Sequence, residues 1–233
     1  MSEPVLHIRR PVLNVVGGGV FPVGRVLCIG RNYAAHAREM GDDGRNPPCW
    51  FTKSPTAIAA ATADRSLPVA YPPETNDLQP EVELVVALRE GGRDIDVKHA
   101  RDHIFGFAVG LDMTRRDRQA EAKKARRPWS EGKDFDASAP VGMLCPWANM
   151  GDPPKGRITL TVNGECRQSA GLHDMIWSVH ELIARLSRSI TLAAGDVIFT
   201  GTPAGVSPVV PNDVLHAEIS DLPVGLTVHI TSR

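Results

Sequence analysis

Two glutamates, Glu81 and Glu83, stand one residue apart in segment 79–88, and this segment sets the narrowest limits on the fold. It is apolar and β-branched between Pro80 and Gly91, which predicts a β-strand. Strand side chains alternate, so both glutamates share a face with apolar residues. Two such charges in a poorly solvated place need a cation, and a hard divalent metal ion would satisfy them. A strand that starts at the surface, with its first polar residues in water, would explain the same pattern.

Composition predicts one main domain with a large core. The chain has 233 residues and a hydrophobic content of 42%. A net charge of −1 and a pI near 6.7 argue against a nucleic-acid partner. No apolar run approaches the roughly 20 residues of a membrane span, so we expect no membrane partner. The four cysteines form no CxxC pair, which is typical of reduced thiols in a cytoplasmic protein.

Short apolar runs separated by turn residues predict about ten strands and four helices without regular β-α alternation, hence a β-rich α+β fold. The N-terminal run predicts a hairpin over 5–24, and Asn163-Gly164 predicts a second hairpin turn. The predicted helices are 33–40 capped by Asn32, 97–104 capped by Asp96, a polar helix over 114–127, and one opened by a capping box at Ser178 that runs to about residue 188.

Asp112 is the best candidate for a third metal ligand. It follows the apolar run 105–111, and it therefore lies at a strand end where loops gather. Three carboxylates around Mg²⁺ or Mn²⁺ would leave positions open for water and substrate. An aspartate before a helix is also a common N-cap, and that explanation stays open.

His36 and Glu39 are three residues apart, so on a helix they share one face. A carboxylate beside an imidazole orients the ring and raises its basicity, which suits a water-activating base. A surface helix with an incidental His-Glu contact would show the same spacing.

Two lysines and a glycine-rich loop have ambiguous roles. Lys133 and Lys53 each lie near aromatic residues, where an ammonium can receive an oxyanion or can simply be solvated. Thr202 lies in the loop 201–205, whose backbone amides and hydroxyl could hold a carboxylate. Turn geometry alone would also explain its glycines.

Six motifs in order, GRNYAAHAREM, FTKS, EVEL, LDMTRRDRQ, GKDF and GDVIFTGTPAGV, resemble the fumarylacetoacetate hydrolase family over about residues 21–230. The resemblance implies a mixed β-roll, paired as a homodimer, with a β segment over 1–20 and a catalytic domain over 21–233. FPVGRVLCIGRNYAAHAREM and DMIWSVHELIARLSR carry a narrower resemblance to fumarylpyruvate hydrolases and acylpyruvases.

The resemblance also implies roles for individual residues. The implied metal ligands are Glu81, Glu83 and Asp112, holding Mg²⁺ or Mn²⁺, or Ca²⁺ in crystals. The implied catalytic residues are the water-activating pair His36 and Glu39, and Lys133 near the metal. The implied substrate-binding residues are Arg116, Gln119 and Thr202. Arg31 and Lys53 are candidates to bind the second carboxylate of a diacid substrate, at the end away from the metal.

The expected activity is hydrolysis of the C–C bond of a β-diketo acid, with fumarylpyruvate giving fumarate and pyruvate in gentisate-type aromatic catabolism. Decarboxylation of oxaloacetate or isomerisation of a dienoic diacid would use the same metal and fold. The pair His36 and Glu39 favours hydrolysis, because a decarboxylase needs no activated water. A metal-stabilised binding domain without turnover is the alternative of another class.

Overall fold

The computed structural model describes residues 10–34, 46–63, 65–150 and 153–233. The strands within these ranges are β1 (Val12–Asn14), β2 (Val20–Pro22), β3 (Val26–Gly30), β4 (Cys49–Lys53), β5 (Ile58–Ala60), β6 (Leu67–Ala70), β7 (Leu78–Gln79), β8 (Val82–Leu88), β9 (Ile104–Leu111), β10 (Thr114–Arg115), β11 (Ala139–Val141), β12 (Cys145–Pro146), β13 (Arg157–Val162), β14 (Glu165–Gly171), β15 (Val197–Phe199), β16 (Val214–Ile219) and β17 (Leu226–Thr231). The complete α-helices are α1 (Arg116–Lys124), α2 (Ser130–Lys133) and α3 (Val179–Ser189), and the 3-10 helices are Pro55–Ala57, Val97–His103, Trp147–Asn149 and Leu172–Asp174.

The larger sheet has the order β4-β3-β15-β8-β9-β11-β5, with β12 added beside β9. It is mixed, because β3 runs parallel to β15 while β8 is antiparallel to both β15 and β9. Strand β8 lies near its middle, and all seven of its residues are buried. The predicted strand is therefore confirmed, and it is an interior strand.

The smaller sheet has the order β14-β13-β16-β17-β6 and covers one face of the larger one. Alternate residues of β13 and β16 are buried, as expected for strands with one wet face. Leu160 and Leu215 from these strands join Leu84, Phe107 and α3 in one core cluster. A strand-rich α+β fold built on a mixed sheet is thus confirmed.

A second core cluster lies on the opposite face of the larger sheet. Val85 and Ala87 of β8 belong to it, and so do Leu13 and Phe21 of the hairpin β1-β2. The N-terminal hairpin therefore packs into the same body as the rest of the chain. A domain boundary at residue 20 stays a prediction.

Three predicted local elements match the structure and one is shorter. The hairpin at Asn163-Gly164 joins β13 and β14, and the Ser178 capping box opens α3. Asp96 caps a helix as predicted, although that helix is of the 3-10 type. The helix predicted over 114–127 is shorter at both ends, because residues 114 and 115 pair with β7 as strand β10 and the helix ends at Lys124.

The helix predicted over 33–40 lies outside the described residues from position 35 onward. Among the described helices, none has the length and apolar character needed to cross a membrane.

Candidate metal centre

The three carboxylates predicted as metal ligands meet at one point. Glu81 immediately precedes β8, Glu83 lies within it, and Asp112 follows β9. The backbone N–H of Asp112 donates to the Glu81 carbonyl at 2.9 Å, which joins the two segments. One carboxylate oxygen from each residue lies within 4.8 Å of the others. All three are buried, with Glu81 at 6% and Glu83 at 1% exposure, so the alternative of a wet strand end is wrong.

Lys133 is the main internal counter-ion of this cluster. It ends the short helix α2 and is buried. Its ammonium donates to Glu81 Oε2 and Asp112 Oδ2, each at 2.8 Å, and to Thr114 Oγ1 at 2.7 Å. Three short contacts on a buried ammonium exclude the alternative of a solvated loop lysine.

Lys53 lies behind the carboxylates and not in the wall of the cleft. Its ammonium donates to the carbonyls of Met113 and Lys133 and lies 2.9 Å from Asp112 Oδ1. The side chain is fully buried. A lysine with these partners cannot also reach the far carboxylate of a substrate. Lys53 therefore balances the charge of Asp112 from behind and does not bind the far carboxylate.

Arg116 is the first residue of α1 and is a third cation that contacts the carboxylate cluster. Its guanidinium donates to Glu81 Oε1 at 2.5 Å, Gln79 Oε1 at 2.8 Å and Gln119 Oε1 at 2.7 Å. The Arg116 and Gln119 side chains are thus brought together at Glu81, and their roles in substrate binding stay predictions. Unlike Lys53, Arg116 lines the cleft.

The surroundings of Glu81 and Glu83 shift their pKa values in opposite directions. Burial raises the pKa of Glu81, but Lys133 and Arg116 outweigh it and hold that pKa below its usual range. Burial raises the pKa of Glu83 well above its usual range, and the charges of Asp112 and Glu81 raise it further. Burial lowers the pKa of Lys133, but Asp112 and Glu81 outweigh it, so Lys133 stays an ammonium.

The donor set fits a hard divalent cation. Asp112 Oδ1 is buried, and the Lys53 ammonium 2.9 Å away is an ion-pair partner that makes no well-aligned hydrogen bond to it. Within the described part of the chain, Glu83 makes no ion pair, and Gly201 N–H donates to its Oε2 at 2.7 Å. Carboxylate oxygens that are buried and incompletely satisfied are the ligands that Mg²⁺ and Mn²⁺ prefer.

The loop after β15 supplies the other side of the site. Gly201 has φ +98°, and a Cβ there would lie 2.7 Å from the Cβ of Asn32, so the close approach needs glycine. Asn32 in turn donates to the Thr200 carbonyl at 2.7 Å. The next residue, Thr202, is 2% exposed and lines the cleft beside the carboxylates.

The cleft itself is narrow at the carboxylates. About 30 Å³ is free there, room for one or two water-sized groups. Phe51 and Trp129 line it and also line an adjoining groove of about 340 Å³. Their rings meet edge to face with centroids 6.0 Å apart. A larger ligand could therefore extend from the carboxylates into this groove.

Lys123 is a cleft residue that the sequence interpretation missed. It lines the cleft with its ammonium 5.2 Å from the Trp129 ring centre. Burial and then the charge of Arg116 lower its pKa. The spacing of Arg116, Gln119 and Lys123 puts them on one helix face, a signal that could have identified it.

The remaining residues predicted at the site are Arg31, His36 and Glu39. Arg31 lines the cleft, with φ +60° at the end of β3. His36 and Glu39 lie outside the described residues, so their role as a water-activating pair stays a prediction.

Replacing Lys133 with methionine is expected to lower the free energy of unfolding by about 3–5 kcal/mol in EDTA, because it leaves Glu81 and Asp112 buried without their shared cation. Mg²⁺ should restore more stability to this variant than to the wild type. Urea unfolding with and without Mg²⁺ measures both effects. Lys98→Met is the control, since the Lys98 ammonium pairs with Asp96 at the exposed surface. Equal stability of the Lys133 variant and the wild type in EDTA would contradict the assignment.

Comparison with known proteins identifies the family of the chain. The family model of the fumarylacetoacetate (FAA) hydrolase C-terminal domain matches residues 25–228. The oxaloacetate tautomerase YcgM of Escherichia coli (strain K12) is 42% identical over 84% of this chain and 88% of its own length. The mitochondrial oxaloacetate decarboxylase of Dictyostelium discoideum is 36% identical over 90% of this chain and 94% of its own.

A solved structure extends the match to the whole chain. Fumarylpyruvate hydrolase from Pseudomonas aeruginosa, in complex with Mn²⁺ and pyruvate, has a TM-score of 0.96 and 43% identity, covering 99% of this chain and 100% of that one. Because one relative is mitochondrial, a cytoplasmic location stays a prediction. With a family model over most of its length and these relatives, the chain is an enzyme that belongs to the fumarylacetoacetate hydrolase family.

Proposed function

We propose that the chain is a divalent-cation-dependent enzyme acting on a 2-keto acid that carries a carbonyl or carboxyl group at C4, with oxaloacetate as the first substrate. The observation that carries this is the buried cluster of Glu81, Glu83 and Asp112 beside Arg116 and Thr202 in one cleft. The oxaloacetate tautomerases and decarboxylase among its relatives support oxaloacetate ahead of the fumarylpyruvate expected from sequence.

Three reactions share one chemical requirement. Tautomerisation moves a proton from C3 of oxaloacetate to its C2 oxygen. Decarboxylation breaks the C3–C4 bond, releases CO₂ and leaves the electron pair on the pyruvate enolate, which takes up a proton at C3. Hydrolysis of fumarylpyruvate adds water at the C4 carbonyl and breaks the C3–C4 bond, releasing fumarate and the same enolate. In each case negative charge develops across C2, C3 and the C2 oxygen.

The chain's own residues suit that requirement. Lys133 keeps its proton, so it offers electrostatic stabilisation and does not act as a base. Arg116 and Thr202 line the cleft, where a guanidinium and a hydroxyl can orient the keto-acid carboxylate. A divalent cation bound by the carboxylates would supply Lewis acidity at the keto-acid oxygens.

Fumarylpyruvate hydrolysis is the second candidate. Its support is the similarity over the whole chain to the fumarylpyruvate hydrolase and the groove beyond Phe51 and Trp129, which gives room for a longer acyl group. Arg31 lines the cleft and is our candidate for the far carboxylate. Such a charge-assisted contact would favour the diacid over acetylpyruvate by about 10- to 150-fold in kcat/KM. Homodimer formation remains a prediction from the family resemblance.

One comparison of substrates tests both candidates. Protein stripped with EDTA is assayed with Mg²⁺ or Mn²⁺ on oxaloacetate, fumarylpyruvate and acetylpyruvate, following enol absorbance and pyruvate release. We expect cation-dependent turnover of oxaloacetate. Higher kcat/KM on fumarylpyruvate would make hydrolysis the main function, whereas no turnover of any substrate with either cation would refute the proposal.

A further inference from the structure

Gln168 is a buried amide that lies between two segments of the site. It is 1% exposed, although the three residues before it in β14 are exposed. Strand β13 pairs Leu160 with Gln168 but its next residue with Cys166. Arg167 is therefore the extra residue of a β-bulge, a feature that redirects neighbouring side chains.

Three hydrogen bonds fix the orientation of the Gln168 amide. Its Oε1 accepts from the backbone N–H of Val82 at 3.0 Å. Its Nε2 donates to Thr202 Oγ1 and to the Pro203 carbonyl, each at 2.8 Å. Rotating the amide by half a turn would face donor with donor and acceptor with acceptor, so one orientation alone satisfies its partners.

The bond to Val82 replaces one that the sheet does not supply. The Leu84 carbonyl faces β15 and accepts from Thr200 N–H at 3.0 Å. Val82 is two residues earlier, so its N–H faces the same side. Strand β15 has ended by that point, and a buried N–H without a partner is costly. Gln168 therefore holds the strand between the two ligand glutamates.

The loop 201–205 packs against the bulge beside Gln168. A Cβ at Gly205 would lie 2.1 Å from the Arg167 carbonyl oxygen, and the residue has φ +96°. Glycine is required on both counts. This close contact keeps Thr202 within reach of the Gln168 amide.

The bond from Gln168 decides how the Thr202 hydroxyl can act. A hydroxyl has one proton and two acceptor lone pairs. Because Gln168 donates to Thr202 Oγ1, the hydroxyl proton is left to donate elsewhere, and the residue lines the cleft. We propose that Gln168 is a positioning residue that presents the Thr202 hydroxyl as a hydrogen-bond donor to the keto-acid carboxylate. This inference rests on the proposed function.

The test measures anion binding and metal binding separately. Oxalate, a planar dianion that resembles the pyruvate enolate, is titrated calorimetrically into Mn²⁺-loaded protein, and the Mn²⁺ Kd is measured by electron paramagnetic resonance. The variants are Gln168→Leu, Thr202→Val and the double variant. Gln168→Glu keeps the shape of the side chain but, when ionised, cannot donate to Thr202. Ser169→Ala, at an exposed neighbour in the same strand, is the control.

We expect Gln168→Leu, Gln168→Glu and Thr202→Val each to weaken oxalate binding by roughly 10- to 100-fold, as loss of a charge-assisted hydrogen bond implies. The Mn²⁺ Kd of Thr202→Val and of Gln168→Glu should stay within about threefold of the wild type, because the ligand carboxylates are unchanged and a glutamate at position 168 still accepts from Val82 N–H. The oxalate Kd of the double variant should lie within about threefold of the Kd of the single variant that binds oxalate more weakly.

Several results would overturn the proposal. Losses that multiply in the double variant would mean that Gln168 acts independently of Thr202. Wild-type oxalate affinity in Thr202→Val would overturn it even if Gln168→Leu did not fold. Wild-type protein that binds neither oxalate nor any keto acid with Mn²⁺ would instead refute the proposed function, so the two failures are distinguishable.

Discussion

Glu83→Gln is expected to abolish cation-dependent turnover while raising the stability of the cation-free protein. The amide keeps the side-chain shape and still accepts the hydrogen bond from Gly201 N–H. It removes a ligand charge that a hard cation needs. In the absence of a cation, burial and then the charges of Asp112 and Glu81 oppose ionisation of Glu83 and raise its pKa well above the usual range. Relief of this repulsion should be worth about 1–2 kcal/mol, or roughly 2–8 °C in Tm.

Thermal unfolding in EDTA and in saturating Mg²⁺ measures both parts of this prediction. The wild type should gain stability from Mg²⁺, whereas the Glu83 variant should not. Glu165→Gln, at the exposed first residue of β14 beside Arg167, is the control and should behave as the wild type. Full activity of Glu83→Gln after chelation and Mg²⁺ re-addition would contradict its assignment as a ligand.

His36→Ala is expected to lower kcat for fumarylpyruvate hydrolysis by on the order of 10²–10⁴. The reason is the spacing of His36 and Glu39, which suits a pair that activates water. Decarboxylation of oxaloacetate requires no activated water, so it should fall much less. The ratio of the two losses in one variant therefore separates the two candidate functions.

The Mn²⁺ Kd of His36→Ala should be unchanged, and Glu39→Gln should lower hydrolysis in the same direction. His173→Ala is a suitable control, because that imidazole is exposed in the 3-10 helix Leu172–Asp174. A near-wild-type kcat on fumarylpyruvate in His36→Ala would remove the pair from the mechanism.

Local patterns in the sequence predicted the strand β8, which carries Glu83 and follows Glu81 directly. The alternation along β8 places Glu81 and Glu83 on the face of Val85 and Ala87, and the structure puts those two apolar residues in one core cluster. The depth of burial was left open, because it depends on β15 and β9 closing over both edges of β8. The pairing of β8 with β15 joins residues more than 100 positions apart, such as Val85 and Phe199, and local sequence patterns do not specify it.

The positions of the lysines were harder to predict for the same reason. Lys53 and Lys133 have similar sequence surroundings, yet one lies behind Asp112 and the other bridges Asp112 and Glu81. Lys123 appeared in the sequence only as part of a basic run. A long side chain can be solvated or can point inward with no change in local pattern, so only tertiary packing distinguishes the outcomes.

The internal cations bear on how this enzyme would acquire the proposed divalent ion. Lys53, Lys133 and Arg116 form ion pairs with Asp112 and Glu81, and the raised pKa of Glu83 favours its neutral form, so the polypeptide can fold before any divalent ion arrives. Small zinc domains behave in the opposite way, since they unfold when the metal is withdrawn. Here chelation should give an intact, inactive protein that regains activity on re-addition of the ion. Activity in the cell would then follow the free concentration of the divalent ion without a change in the amount of folded enzyme.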